Sequence, residues 1–232
     1  EALDAIRAAD EVRFSLDAVH PFDGREVAAT PLKPGTTTLM VDGVERSTLN
    51  SDGKPIHWSE EGIRNFWRWF AGSRVVDAQG RPLVVYHGTP KVFEDGGFEY
   101  GDSERAFAFT NDMVIANQYS RTPRQRGEYR PQVIPVYLSL QNPLEEDFKG
   151  RSKDRGFDDL IAMAKRFGYD GIIVRSVIDD PSGDNDNSWP QDVHLAFSPT
   201  QIKSAIGNRG TFDPADPDIR FNVESSGNEA PP

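Results

Sequence analysis

Hydrophobic and polar positions along this chain predict a series of short strands with amphipathic helices set among them. Ser59-Glu60-Glu61 precedes Ile63, Phe66, Trp67 and Phe70. Apolar residues at i, i+3, i+4 and i+7 line one face of a helix. Ser59 is its expected N-cap, and the two acids suit the positive end of the helix dipole. So aromatic a face reads as a surface for docking on a core, not as a cofactor platform. Leu83 to His87 is an apolar run that stops at Gly88-Thr89-Pro90, which predicts a buried strand. Phe107 to Thr110 predicts another, after which Asn111 is expected to cap a helix reaching Tyr119, with Ile115 and Tyr119 on one face. Gln132 to Leu140 alternates as a strand and closes at Asn142-Pro143. Phe157 to Phe167 is an amphipathic helix stopped by Gly168, and Gly171 to Arg175 and Val193 to Phe197 are two more strands. Strands and helices do not alternate regularly, so the expected fold class is α+β with a mostly antiparallel sheet.

The ends of the chain read differently. Residues 1–58 are expected to form an N-terminal arm: a short helix at Glu1 to Glu11, an extended Pro/Gly-rich stretch from Pro21, and a hairpin turning at Asp42-Gly43. Nothing there points to chemistry. Residues 59–222 read as the main domain, and 223–232 as a disordered tail.

Composition narrows the function classes. With 26 basic and 37 acidic residues in 232, the net charge is −11. An acidic surface repels phosphate backbones and anionic lipid, so general adhesion to nucleic acid or membrane is not expected. Against that background Arg121, Arg124, Arg126 and Arg130 form one local basic stretch, read either as a solvated loop or as a lid for an anionic ligand. Cysteine is absent, which removes disulfides, thiolate catalysis and cysteine-bound metals together. No apolar run approaches the ~20 residues that span a bilayer. Because the chain begins at Glu1, it is expected to be part of a longer polypeptide.

Candidate chemistry then reduces to a few residues. The chain has no Gly-rich phosphate loop, no dinucleotide fingerprint and no nucleophile elbow. Its four histidines, His20, His57, His87 and His194, show no metal-ligand spacing, so no metal is expected. His87 stands out because it ends a buried strand, where side chains emerge from a core. Gly88 beside it would let a ligand approach the backbone closely.

His87-Gly88-Thr89, then Phe107-Ala108-Phe109-Thr110, then a short helix ending in Tyr119, resembles the His-Tyr-Glu branch of the ADP-ribosyltransferases, which includes diphtheria toxin and the poly(ADP-ribose) polymerases. The likeness is closer to the ADP-ribosyltransferase domains of polyvalent proteins of phages and mobile elements. It runs from Trp69-Phe70 and Ser73 to Asp77, through Gly168 to Ile173, to Phe197-Ser198-Pro199-Thr200-Gln201-Ile202-Lys203-Ser204. This resemblance implies split antiparallel sheets with flanking helices, and a cytoplasmic location in a bacterial or phage-infected cell. It implies NAD as substrate, bound by His87, Gly88, Thr89, Phe109 and Tyr119, with ADP-ribose passed to a protein or nucleic-acid acceptor. The family places a glutamate where this chain has Val193. Asp192 or Gln191 then substitutes for it, with Asp192 taken as the catalytic acid beside His87 and Tyr119, or the acid comes from elsewhere, first of all the loop from Asp179 to Asp186, or transfer is lost. The alternatives in function are therefore an NAD glycohydrolase and a degenerate module that binds NAD or a partner without transfer.

Overall fold

The hairpin at Asp42-Gly43 forms as the sequence predicts, with β1 (Thr38–Val41) and β2 (Val44–Ser47) in antiparallel register. Asp42 and Gly43 both take positive φ, 49° and 83°, the turn whose twist matches that of the two strands it joins. The computed structural model describes residues 29–70, 72–90, 98, 106–121, 130–152, 156–179 and 189–219. The helix expected at Glu1 to Glu11 and the tail from 223 lie outside them.

Helix α1 (Glu60–Phe70) starts where expected: the Ser59 hydroxyl accepts from Gly62 N at 3.1 Å. Its apolar face buries Ile63, Phe66, Trp67, Trp69 and Phe70 with Tyr137 and Phe212. Each such side chain contributes roughly 1.5–3 kcal/mol when fully buried, so this face fastens the helix firmly. The hairpin closes over it, with Trp67 Nε1 donating to Ser47 O at 2.7 Å.

Seven strands form one sheet in the order β6-β7-β8-β4-β3-β5-β9. They are β3 (Val85–Thr89), β4 (Phe107–Thr110), β5 (Gln132–Leu138), β6 (Pro143–Asp147), β7 (Gly171–Val177), β8 (Gln191–Ala196) and β9 (Ile202–Ser204). Every pairing is antiparallel except β6 with β7. Two of these strands escape the pattern of the sequence. β6 carries one leucine among Glu145, Glu146 and Asp147, because its outer edge is solvated. β9 has only three residues, too few to alternate.

The sheet has two different faces. Cross-strand neighbours Tyr86, Thr110, Val193 and Val174 share one, and three helices cover it: α1, α2 (Met113–Ser120) and α3 (Asp158–Arg166). Under α3 lie Phe157, Ile161, Ile172, Val174, Val177, Val193 and Leu195 in one cluster. On the opposite face Val85, Phe107, Phe109, Val136, Ile173, Ala196 and Ile202 meet around Phe98. Residues of six strands gather there, so the sheet wraps around them.

β7 carries a bulge: Val174 pairs with Val193, but Val177 pairs with Gln191, so one extra residue sits in β7. Ser176, inside the bulge, has φ of 49°, a region that residues other than glycine seldom occupy.

Candidate functional site

The site begins with a change of partner along β3. Pro135, opposite Tyr86 on β5, has no N–H, and its carbonyl accepts from Ala205 N on the far side. Tyr86 and Pro135 are therefore not a hydrogen-bonded pair. Alternation then turns the backbone groups of Val85, His87 and Thr89 toward β5, and those of Tyr86 and Gly88 toward β4. Tyr86 meets Thr110, the single registered pair of β3 with β4. One step on, Gly88 and Ala108 would form the next hydrogen-bonded pair, but the strands have parted. His87 Nδ1 reaches across the opening to the Ala108 carbonyl at 2.8 Å instead.

The result is a slot between two strands, edged by the N–H and C=O of Gly88 and the N–H of Ala108. A carbonyl only accepts, so Nδ1 of His87 carries the proton, and in the neutral ring Nε2 is the acceptor. The imidazole is held edge-on against Phe98, centroids 5.0 Å apart, and tilted against Phe109 at 5.6 Å. Phe109 is 2% exposed in the inner cluster; it backs the His87 ring instead of lining the slot.

Gly88 is glycine for a reason other than ligand approach. A Cβ there would lie 1.7 Å from the carbonyl oxygen of Ala116 and 3.0 Å from Ser120 N. The backbone of α2 thus rests directly on β3, and the turn that presses on Gly88 is the turn that carries Tyr119. The cap of this helix is Asp112, not Asn111: Asp112 Oδ1 accepts from Val114 N at 2.7 Å and Ile115 N at 3.3 Å. Asn111 is occupied elsewhere, accepting from Asp192 N at 3.0 Å. Ile115 is buried, and Tyr119, one turn on, is partly exposed. The Tyr119 hydroxyl donates to the carboxylate of Asp179.

The strand expected to supply the acid has none pointing this way. Val193 lies on the helix-covered face, 2% exposed within the cluster beneath α3. Asp192 is turned to the opposite face, where Oδ2 pairs with Arg175 Nη1 at 2.9 Å and Oδ1 accepts from Ser176 N at 3.0 Å. Gln191 donates through Nε2 to the Asp179 carbonyl at 3.0 Å. Neither Gln191 nor Asp192 presents a carboxylate to Tyr119; Asp179, first residue of the acidic loop, does. His194, on the Asp192 side, is fully buried opposite Phe109 and Ile173. Burial pushes its pKa down to about 4, with Arg175 lowering and Asp192 raising it less. Thr89 is buried at the end of β3. Of the basic stretch, Arg121 and Arg130 are exposed at its two ends, while Arg124 and Arg126 lie outside the described residues.

A strand end parts from its neighbour and is bridged by a histidine, and the turn of α2 that carries Tyr119 rests on it. Comparison with known families decides the matter. Residues 77–212, more than half of the chain, match the family described as ADP-ribosyltransferase in polyvalent proteins.

The chain belongs to this family. No curated protein matches it. The fold is accordingly that of an ADP-ribosyltransferase domain, α+β, and the family's substrate is NAD. Gly88 turns one N–H and one C=O into the opening of the slot. Among the described residues no helix is long and apolar enough to cross a membrane.

Proposed function

We propose that this ADP-ribosyltransferase domain transfers ADP-ribose from NAD to a macromolecular acceptor, protein or nucleic acid, and releases nicotinamide. The observation that carries the reading is the parting of β3 and β4 at Gly88, with His87 bridged to Ala108 across it. NAD supplies the ADP-ribosyl group and a flat cationic leaving group. Gly88 N–H and C=O hold its carboxamide. Tyr119, on the turn of α2 that rests on Gly88, offers an aromatic face suited to a flat cation. His87 Nε2 accepts from a ribose hydroxyl while Nδ1–H stays on Ala108, so the ring keeps one tautomer and one orientation. Thr89 closes the end of the strand. Holding the sugar and the ring separately in this way favours an oxocarbenium-like state by position and electrostatics. We read residues 59–222 as the catalytic unit, with the hairpin docked on its first helix, and the whole as one module of a longer cytoplasmic polypeptide.

A second reading rests on Val193. With an apolar residue where the family has its acid, the domain binds NAD or a partner without transferring ADP-ribose. Incubation with NAD separates the two: free nicotinamide accompanied by labelled acceptor supports transfer, nicotinamide alone supports hydrolysis, and NAD binding with no release supports the second reading.

A further inference from the structure

β7 and β8 together show how a carboxylate reaches Tyr119 from the end of a strand other than β8. An unbroken β7 would place Val177 on the same face as Ile173, in the inner cluster. The extra residue at Arg175-Ser176 reverses this, and Val177 joins Ile172 and Val174 beneath α3. Asp179 follows Val177 by two residues and emerges on that same side, where its carboxylate accepts the Tyr119 hydroxyl. It does not belong to a loose loop end. Ile178 is bridged to Ser152 and its N–H donates to Arg151 O at 3.1 Å, while Gln191 holds the Asp179 carbonyl. Asp179 itself is 5% exposed. The bulge is held from β8 by Asp192, whose two oxygens engage Arg175 and Ser176 N. Ser176 keeps its unfavourable φ because that carboxylate fixes its N–H.

We propose that Asp179, presented by the bulge that Asp192 holds, is the carboxylate of this site and acts through Tyr119, as a positioning residue. It fixes the ring by accepting a charge-assisted hydrogen bond from its hydroxyl, and its negative charge makes the ring a better partner for a cation than for a neutral group. The nicotinamide ring of bound NAD is cationic, so the pair acts on the nicotinamide end of NAD and not on its ADP-ribose part. This inference rests on the function proposed above.

The test compares two ligands that differ only by nicotinamide. Affinities of the full chain for NAD and for ADP-ribose are measured by calorimetry, with Tm recorded for each variant. Asp179→Asn keeps the size and an acceptor oxygen but removes the charge. It is expected to weaken NAD binding about tenfold, the loss of one charge-assisted hydrogen bond, while ADP-ribose affinity stays within about twofold, well under 1 kcal/mol. Asp192→Asn, which loosens the bulge, should show the same selective loss at about threefold, under 1 kcal/mol. If Asp179→Asn does not fold, Tyr119→Phe removes the same hydrogen bond from its other side and is judged by the same pair of affinities. Equal losses for the two ligands, or no loss for either, overturn the role of Asp179 and leave the proposed function standing. A wild-type protein that does not bind NAD overturns both.

Discussion

β3 and β8 run two strands apart in the same sheet, each beside β4, yet they have opposite characters. β3 leaves its neighbour after one registered pair and exposes backbone groups, a histidine and a glycine to the opening. β8 is paired with β4 over Val193–Ala196 and with β7 on its other side up to and beyond the bulge, and buries Val193, His194, Leu195 and Ala196. The sequence resemblance implies polar chemistry on both strands, whereas β8 presents Val193 to the helix-covered face. On the second, the one acid present faces away and braces a neighbouring strand. A functional group is thus defined by the face and the end of the sheet it occupies, and a strand that loses its group can still hold another in place.

Placing the missing acid directly on β8 is the severest way to break this contrast. Val193→Glu puts a carboxylate into the apolar cluster beneath α3, and an uncompensated buried charge costs about 3–5 kcal/mol. Urea denaturation should show that loss, with nicotinamide release not increased; a stable, more active variant would mean that this position opens to the slot after all. Closing β3 is nearly as costly. In Gly88→Ala the new methyl meets the Ala116 carbonyl, α2 must shift, and about 2–3 kcal/mol of stability is expected to go, together with the thermal response to NAD. An unaffected variant would remove α2 from the site.

The third test asks whether β8 is as closed as it looks. The buried His194 ring stays neutral down to about pH 4, whereas in the unfolded chain it takes up a proton near 6.5. Below pH 6.5 the unfolded state therefore binds the proton that the folded state refuses, and stability falls as the pH drops toward 4 and levels off below it. Between about pH 7.5 and pH 5 this amounts to about 2 kcal/mol. His194→Leu should flatten that part of the profile, and an unchanged profile would mean that other groups cause it. The smallest expected effect is at His87. His87→Ala should leave the fold in place, weaken NAD binding about tenfold, or 1.4 kcal/mol, and shrink the rise in Tm that NAD produces. A full rise in the variant would move the site away from β3.

Much of the scaffold can be read directly from residue order. The α1 stripe with its Ser59 cap and the Asp42-Gly43 hairpin depend on local spacing and form where spacing predicts; the strand carrying His87 also forms, but it spans Val85–Thr89 and so runs through the Gly88-Thr89 stop expected of it. Asn111 and Asp112 are both good caps; which one wins depends on Asp192 of β8 needing a partner, and spacing carries no trace of that. β6 is hidden because an edge strand carries its charges where a buried strand would alternate. The site is half legible for the same reason. His87, Gly88 and Tyr119 follow one another along the chain, and their order marks them. Asp179 lies sixty positions after Tyr119 and reaches it only through the bulge in β7, where register rather than composition sets the face.

The segment after β9 decides where this domain tolerates truncation. Phe212 stands edge-on to Phe66 at 5.2 Å, and Asn65 Nδ2 donates to the Gly210 carbonyl at 3.0 Å, so α1 takes part of its lining from residues 140 and more positions downstream. The imidazole of His57 fills the space where a Cβ on either Gly62 or Gly210 would stand, locking the entry of α1 to that returning segment. A fragment ending at Ser204 keeps every strand of the sheet but strips the first helix of its last aromatic neighbour. Such a piece would be expressed with an open apolar seam and would aggregate, whereas one that runs past Ile219 carries its own closure.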